Sequence, residues 1–193
     1  MKAFLIVTIL SCQFHLHAQT SKVEISTKNN SDRENEIVKL LNELLIEYDL
    51  SKWLFTNKVI IEQRVIPHSH PVLTLNTSSN DKRDILTTFI HEQLHWYVEK
   101  YPEFEKKSIA AFKGRYKNVP YQNRAGARDE YSTYLHLIVC YLEYKSMASL
   151  IGETEAKQLM WNMTHYTWVY NKIIEDTEFI GNVLRESGFD LVD

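Results

Sequence analysis

Apolar residues recur at helical spacing through most of this chain. The segment Ser31-Asp32-Arg33-Glu34 has the form of a capping box, and the apolar repeat behind it predicts an amphipathic helix over residues 32–50. Gly188 is placed to terminate the last helix of the chain. The same periodicity predicts further helices over residues 84–100, 103–113, 129–145, 153–174 and 178–187.

Two short segments are instead typical of strands. Residues 59–66 are rich in β-branched side chains, and residues 72–75 form a second apolar run after a break at two prolines. Residues 19–30 are polar and predict a loose segment. With only 5 Gly and 4 Pro, the chain is poor in turn residues, which disfavours β-sandwiches and barrels. The pattern therefore predicts a predominantly helical α+β fold with a small β-sheet.

The N-terminus has the layout of a secretory signal. Lys2 precedes an apolar run over residues 3–10, and Ala18 is a small residue suited to a cleavage point. This order predicts a cleaved signal peptide over residues 1–18 and a single domain over residues 19–193. The mature protein is then exported: periplasmic, secreted or lipid-anchored at the cell envelope. Two alternatives stay open, a lipid anchor at Cys12 within a loose lipoprotein box and a buried N-terminal strand.

Charge and cysteine content narrow the classes of partner. The net charge of −3 gives no indication of the excess of Lys and Arg that is typical of nucleic-acid-binding proteins. No stretch approaches the roughly 18 apolar residues of a transmembrane helix. If cleavage follows Ala18, Cys140 is the only cysteine of the mature chain, which then has no intramolecular disulfide.

Residues 91–95 spell His-Glu-Gln-Leu-His, the pattern HExxH, inside the helix predicted over residues 84–100. Residues four apart share one face of a helix, so His91 and His95 can bind one metal ion together. Glu92 is then carried next to the open coordination position, where it can take a proton from a bound water. The competing interpretation is a solvated helix face that happens to bear two histidines and a glutamate.

This motif resembles that of the zincin metallopeptidases, and the resemblance covers about residues 59–101. It implies a zincin-like fold with an active-site HExxH helix, a Zn²⁺ cofactor and a peptide or protein substrate. It also implies His91 and His95 as zinc ligands and Glu92 as the general base. The extended motif of the metzincin branch needs Gly and His where this chain has Val98 and Tyr101. That branch is excluded, and no other compact branch is assigned.

Catalytic zinc sites combine three protein ligands with a water, so a third ligand is expected on the helix over residues 129–145. His136 lies in an apolar run where its ring needs a polar partner. Glu143, two turns farther on the same face, is suited to support a ligand or to act as an extra one. Glu130 is the alternative third ligand because it resembles the distal glutamate of gluzincins, although Tyr134 stands where the thermolysin-like form has Asp. Glu130 and His136 are about 240° apart around a helix, and we favour His136.

Several other polar and aromatic residues carry weaker signals. Tyr166, Trp168 and Tyr170 lie with His165 in an aromatic-rich helix and are interpreted mainly as core. A Tyr or a His from this region is also a candidate hydrogen-bond donor to a tetrahedral oxyanion. His68 and His70 flank a turn and are interpreted as part of a surface loop. Three arginines have the chemistry to bind a substrate carboxylate, and none of them is singled out: Arg115, Arg124 and Arg128.

The sequence thus predicts an exported zinc-dependent hydrolase, a metallopeptidase by its motif. The alternative is a non-catalytic interaction or structural domain on a zincin-like scaffold, with its metal site absent or closed. A closed site would hold the metal with four protein ligands and leave no position for water. Such a set would be His91, His95, His136 and Glu143.

Overall fold

The computed structural model describes residues 23–191 of the protein. Within them, seven α-helices and a three-stranded parallel sheet confirm the predicted α+β class with its predominance of helix. The predicted signal peptide, its cleavage site and Cys12 lie outside the described residues. The strands are β1 (Glu24–Thr27), β2 (Lys58–Ile61) and β3 (Leu73–Leu75). The helices are α1 (Asp32–Glu47), α2 (Lys82–Glu99), α3 (Pro102–Arg115), α4 (Glu130–Ile151), α5 (Glu153–Trp161), α6 (Thr167–Glu175) and α7 (Thr177–Ser187), and a 3₁₀ turn covers Ser51–Trp53.

The sheet has the strand order β1-β2-β3, and both strand pairs are parallel. Val59 on the central strand lies opposite Ile25 on one side and Leu73 on the other. Val59 and Leu73 are completely buried, since α1 contacts β1 and β2 while α2 contacts β3. The sheet therefore supports α2, the helix that carries HExxH.

The strands differ from their predicted extent. The prediction of a loose segment is wrong for Glu24–Thr27, which form β1 with alternating exposed and half-buried side chains. Its hydrogen-bonding partner β2 is distant in sequence, so the polar composition of the segment did not reveal the pairing. β2 is also shorter than the predicted 59–66. Arg64 has a φ of 62°, which turns the backbone away from the sheet and leaves Ile66 85% exposed.

Two predicted helix ends are confirmed in atomic detail. Ser31 Oγ accepts a hydrogen bond from Glu34 N at 3.3 Å, and Glu34 Oε2 accepts one from Ser31 N at 3.2 Å, which completes the capping box of α1. Gly188 ends α7 with a φ of 115°, and a Cβ there would lie 2.8 Å from Phe104 Cζ. Only glycine combines that backbone conformation with that close approach.

The long helix α4 forms the centre of the helical layer. It contacts α2, α3, α5, α6 and α7. Because neighbours surround it on several sides, α4 is apolar around most of its circumference, and His136 and Glu143 are buried within it. In the part of the chain that the structure describes, no helix is long and apolar enough to cross a membrane.

The single helix predicted over residues 153–174 is wrong, because two helices, α5 and α6, occupy this region. Between them Tyr166 adopts the left-handed conformation, with φ 52° and ψ 32°. The N–H groups that start α6 bond to another loop: Thr167 N donates to Arg124 O at 3.1 Å and Trp168 N to Ala125 O at 3.0 Å. This long-range capping fixes the break beside the HExxH helix.

Candidate metal centre

Three histidine rings converge between α2 and α4. His91 and His95 lie one turn apart on α2, and His136 on α4 faces them. The ring centroids are 5.0 Å apart for His91 and His95, 5.6 Å for His91 and His136, and 5.2 Å for His95 and His136. One ring nitrogen of each lies within 4.8 Å of those of the other two. The packing of α4 on α2 thus brings together the two HExxH histidines and the favoured third ligand.

The distance between two of these nitrogens matches a shared metal. His91 Nε2 and His95 Nε2 are 3.3 Å apart. Two nitrogens bound to a tetrahedral Zn²⁺ at about 2.0–2.1 Å would lie about 3.3–3.4 Å from each other. The two rings therefore already stand at the spacing that zinc needs.

The Nδ1 atoms of His136 and His91, which point away from the cluster, are held by hydrogen bonds. His136 Nδ1 lies 2.6 Å from Ser132 O, and a carbonyl oxygen only accepts, so Nδ1 carries the proton and Nε2 keeps its lone pair. His91 Nδ1 lies 2.6 Å from Glu143 Oε2 and donates to this carboxylate, which leaves Nε2 as the nitrogen directed at the cluster. Protein metal sites orient histidine ligands through such bonds at the far nitrogen.

Glu143 lies behind His91, at the nitrogen turned away from His95. Its carboxylate is completely buried and also accepts hydrogen bonds from Tyr170 Oη, at 3.1 Å to Oε1 and 3.0 Å to Oε2. Cys140 lies beside this pair and forms a second buried group of possible ligand atoms with His91 and Glu143. Since Glu143 already holds His91 Nδ1, the geometry favours a supporting role for Glu143 over a place as fourth ligand of the three-histidine cluster.

Burial and neighbouring charges set the protonation of the cluster. Burial, followed by the charges of His91 and His136, lowers the pKa of His95 well below its usual value. Burial and the charge of His91 lower the pKa of His136 to about 3. Burial also opposes the charged form of His91, but the carboxylate of Glu143 outweighs it and raises that pKa. His95 and His136 are thus held neutral, the form that binds metals, whereas Glu143 favours the charged form of His91, which would release its Nε2 proton when a metal binds.

Glu92 faces a cavity of about 840 Å³ that reaches the cluster. Its side chain is largely buried, and burial raises the pKa of its carboxyl above the usual range. Among residues 23–191 its carboxylate oxygens have no hydrogen-bond partner, so they are free to bind a molecule in the cavity. Tyr166 lines the same cavity, and its ring centroid is 4.2 Å from that of His136.

Other candidates from the sequence lie outside the cluster. Glu130, the alternative third ligand, is exposed in the first turn of α4, where a carboxylate favours the helix dipole, and it belongs to neither ligand group found in residues 23–191. His68 and His70 occupy the predicted surface loop. Arg115 pairs with Asp176 at 3.4 Å.

Sequence reasoning missed two parts of the site. Tyr170 is part of the core, as predicted, but its hydroxyl also bonds to Glu143, a contact that the sequence did not predict. A buried carboxylate such as that of Glu143 needs hydrogen-bond donors, but the sequence does not show which residue supplies them. The break before α6, which places Tyr166 at the cavity, had no local signal because the residues that cap α6 belong to the distant loop over residues 122–128.

Comparisons of this chain with protein-family models, with curated proteins and with solved structures each gave no match.

Proposed function

We propose that this protein is an exported zinc-dependent metallopeptidase with a zincin-like site. The observation that carries the proposal is the convergence of His91, His95 and His136, with His91 and Glu92 lining the adjoining cavity. The signal-like pattern of residues 1–18 supports export.

The donor set fits zinc by its chemistry. Three imidazole nitrogens are a known ligand set of catalytic zinc sites, in which a fourth position stays open. The 3.3 Å distance between His91 Nε2 and His95 Nε2 suits that geometry. The bonds of Nδ1 to Glu143 and to Ser132 O keep His91 and His136 in the tautomer that binds through Nε2. Bound there, zinc would polarise a scissile carbonyl and lower the pKa of a water molecule.

Glu92 supplies the proton transfers. Its carboxylate, with no hydrogen-bond partner among the described residues, accepts a proton from the attacking water and returns it to the leaving amine. The raised pKa of this buried carboxyl suits a group that must both accept and release a proton near neutral pH. Tyr166, which lines the cavity and packs against His136, is the candidate donor to the oxyanion.

The decisive experiment is Glu92→Gln in purified protein. The variant should keep stoichiometric zinc, measured by elemental analysis, because the three histidines remain. Hydrolysis of a mixed pool of unstructured peptides should fall by about 10²–10⁴-fold, the usual contribution of a general base. Glu99→Gln, the same change farther along α2 on an exposed residue, is the matched control and should hydrolyse normally.

The outcomes also separate the proposal from a non-catalytic domain. Zinc bound with no hydrolysis in the wild type, and four protein ligands by X-ray absorption, would support a closed structural site. Wild-type protein that takes up no zinc would refute both metal functions. Hydrolysis unchanged in Glu92→Gln would remove Glu92 from the mechanism.

A further inference from the structure

The loop over residues 122–128 forms one wall of the cavity and carries two arginines, Arg124 and Arg128. Arg128 is neutralised by its neighbour, with Nε 3.0 Å from Asp129 Oδ2. The guanidinium of Arg124 has neither a hydrogen bond nor an ion pair with any residue in the described range 23–191. Arg124 is therefore a positive charge at the cavity that the protein itself does not compensate.

The backbone of this loop is held firmly. Asn123 Oδ1 accepts a hydrogen bond from Ala125 N at 2.7 Å, and Thr133 Oγ1 accepts one from Ala127 N at 2.9 Å. Gly126 packs so tightly that a Cβ would lie 1.8 Å from Pro120 O, so no other residue fits there. A loop fixed in this way places the base of the Arg124 side chain at a defined point of the cavity wall.

The same loop is joined to the catalytic side of the cavity. Arg124 O accepts the hydrogen bond of Thr167 N at 3.1 Å, directly after Tyr166 in the chain. Tyr166 in turn packs against His136, with ring centroids 4.2 Å apart. Arg124 thus lies next to the segment that borders the proposed metal site, within reach of a substrate bound there.

The surroundings favour an anion beside Arg124 over one beside residues 65–67. The rim formed by residues 65–67 is apolar, with Ile66 85% exposed. In the described part of the chain, three carboxylates line the cavity, and none of them forms an ion pair with Arg124. Asp84 accepts a hydrogen bond from Ser79 Oγ at 2.7 Å, Glu143 is engaged with His91, and Glu92 belongs to the proposed catalytic site. A planar guanidinium matches a carboxylate through two parallel hydrogen bonds.

We propose that Arg124 forms a subsite for a carboxylate of the substrate, and that this enzyme selects peptides with such a group near the scissile bond. The inference rests on the proposed function, because that function makes a peptide the ligand. The carboxylate has two possible sources, the C-terminus of the peptide or an Asp or Glu side chain. Arg124 is in either case a specificity-determining residue and takes no part in proton transfer.

Peptide binding tests this without turnover. Fluorescent pentapeptides of three kinds are titrated into Glu92→Gln protein, with and without zinc: one with a free C-terminus and no acidic residue, one amidated with a single Glu, and one amidated with Gln in its place. At least one carboxylate peptide should bind about tenfold more tightly than the neutral peptide. Arg124→Gln should abolish that difference, and Arg128→Gln, the matched control on the same loop, should leave it within about twofold.

Whichever carboxylate peptide binds more tightly identifies the source of the group. Equal binding of all three peptides, no binding of any, or equal losses in Arg124→Gln and Arg128→Gln would overturn the subsite. Zinc content and hydrolysis by the wild type are measured separately. A carboxylate preference that depends on Arg124 but persists without zinc would support the subsite even if the metallopeptidase function failed. Zinc-dependent hydrolysis without that preference would support the metallopeptidase function and refute the subsite.

Discussion

His91 and His95 on α2 and His68 and His70 on the loop before β3 are two histidine pairs of similar appearance in the sequence. The structure uses their ring nitrogens differently. His70 is bonded at both nitrogens, to Ser69 Oγ at 2.9 Å and to Glu99 Oε2 at 2.6 Å, and His68 Nδ1 donates to Ile66 O at 2.9 Å. In the α2 pair, by contrast, two Nε2 atoms face each other.

The carboxylates that accompany the two pairs sharpen the contrast. Glu143 and Glu99 each lie 2.6 Å from an imidazole nitrogen. Glu143 is completely buried, whereas the Glu99 side chain is 64% exposed. In a buried site the bond fixes the ring and its tautomer, and at the surface water competes for both partners. The two pairs therefore differ in the burial of their partners and in the convergence of their ring nitrogens, and these features distinguish the candidate metal site from the surface pair.

The largest effect is expected from removing a ligand. His136→Ala should abolish stoichiometric zinc binding, and added zinc should no longer raise the melting temperature, because two imidazoles remain where the proposed site needs three. His70→Ala is the control and should bind zinc as the wild type does. Elemental analysis and thermal unfolding measure the two effects. If zinc were lost in His70→Ala and kept in His136→Ala, the metal site would lie at the surface pair and not at the α2 pair.

Glu143→Gln should weaken zinc binding by about 10–100-fold, the usual effect of losing the partner that orients a histidine ligand. The amide lacks the charge that favours His91 as a donor at Nδ1. Glu99→Gln is the matched control, since its carboxylate has the same distance to a histidine, and its zinc affinity should not change. Competition titration with a chelator measures both. If the two variants lost affinity equally, burial would not be the deciding difference.

Tyr170→Phe removes the hydroxyl that bonds to the buried Glu143. The free energy of unfolding should fall by about 1–3 kcal/mol, because a buried carboxylate loses a donor. Tyr121→Phe, at a residue that is 49% exposed, should change it by less than about 0.5 kcal/mol. Urea denaturation of the zinc-free proteins measures the difference, and equal effects would show that Tyr170 does not support the cluster.

The smallest effect is expected at the surface pair. His70 stacks on Trp96 with ring centroids 4.1 Å apart and pairs with the exposed Glu99. His70→Ala should lower the free energy of unfolding by about 1 kcal/mol, since exposed ion pairs and single stacked rings contribute little. Urea denaturation measures it beside Glu99→Gln. A loss as large as that of Tyr170→Phe would mean that this loop supports the fold more than its exposure indicates.

The structure bears out the sequence-based prediction most closely where the determining interactions are local. The capping box at Ser31 and the glycine stop at Gly188 depend on residues within one turn, and both are present. The strand β1 and the break before α6 were missed, because their backbone hydrogen bonds go to residues far along the chain. The local pattern of apolar and polar residues does not predict such distant partners.

The candidate site shows the same division. The spacing of His91 and His95 follows from the helical repeat, so their shared face was predictable from the sequence alone. The sequence favoured His136 over Glu130 but did not decide between them, because the choice depends on which side of α4 packs against α2. The structure turns His136 toward the pair and leaves Glu130 exposed.

By itself, the sequence determined the helical character of the chain, the shared face of the HExxH histidines and the place of Glu92 beside them, since each needs only neighbours one turn away. Tertiary structure alone decided the third ring, the bond of Glu143 to His91, the place of Tyr166 and the uncompensated charge of Arg124. Each of these joins residues that are distant in sequence. Their proximity comes from burying the apolar surfaces of α2, α4 and α6 against one another, which no single segment specifies.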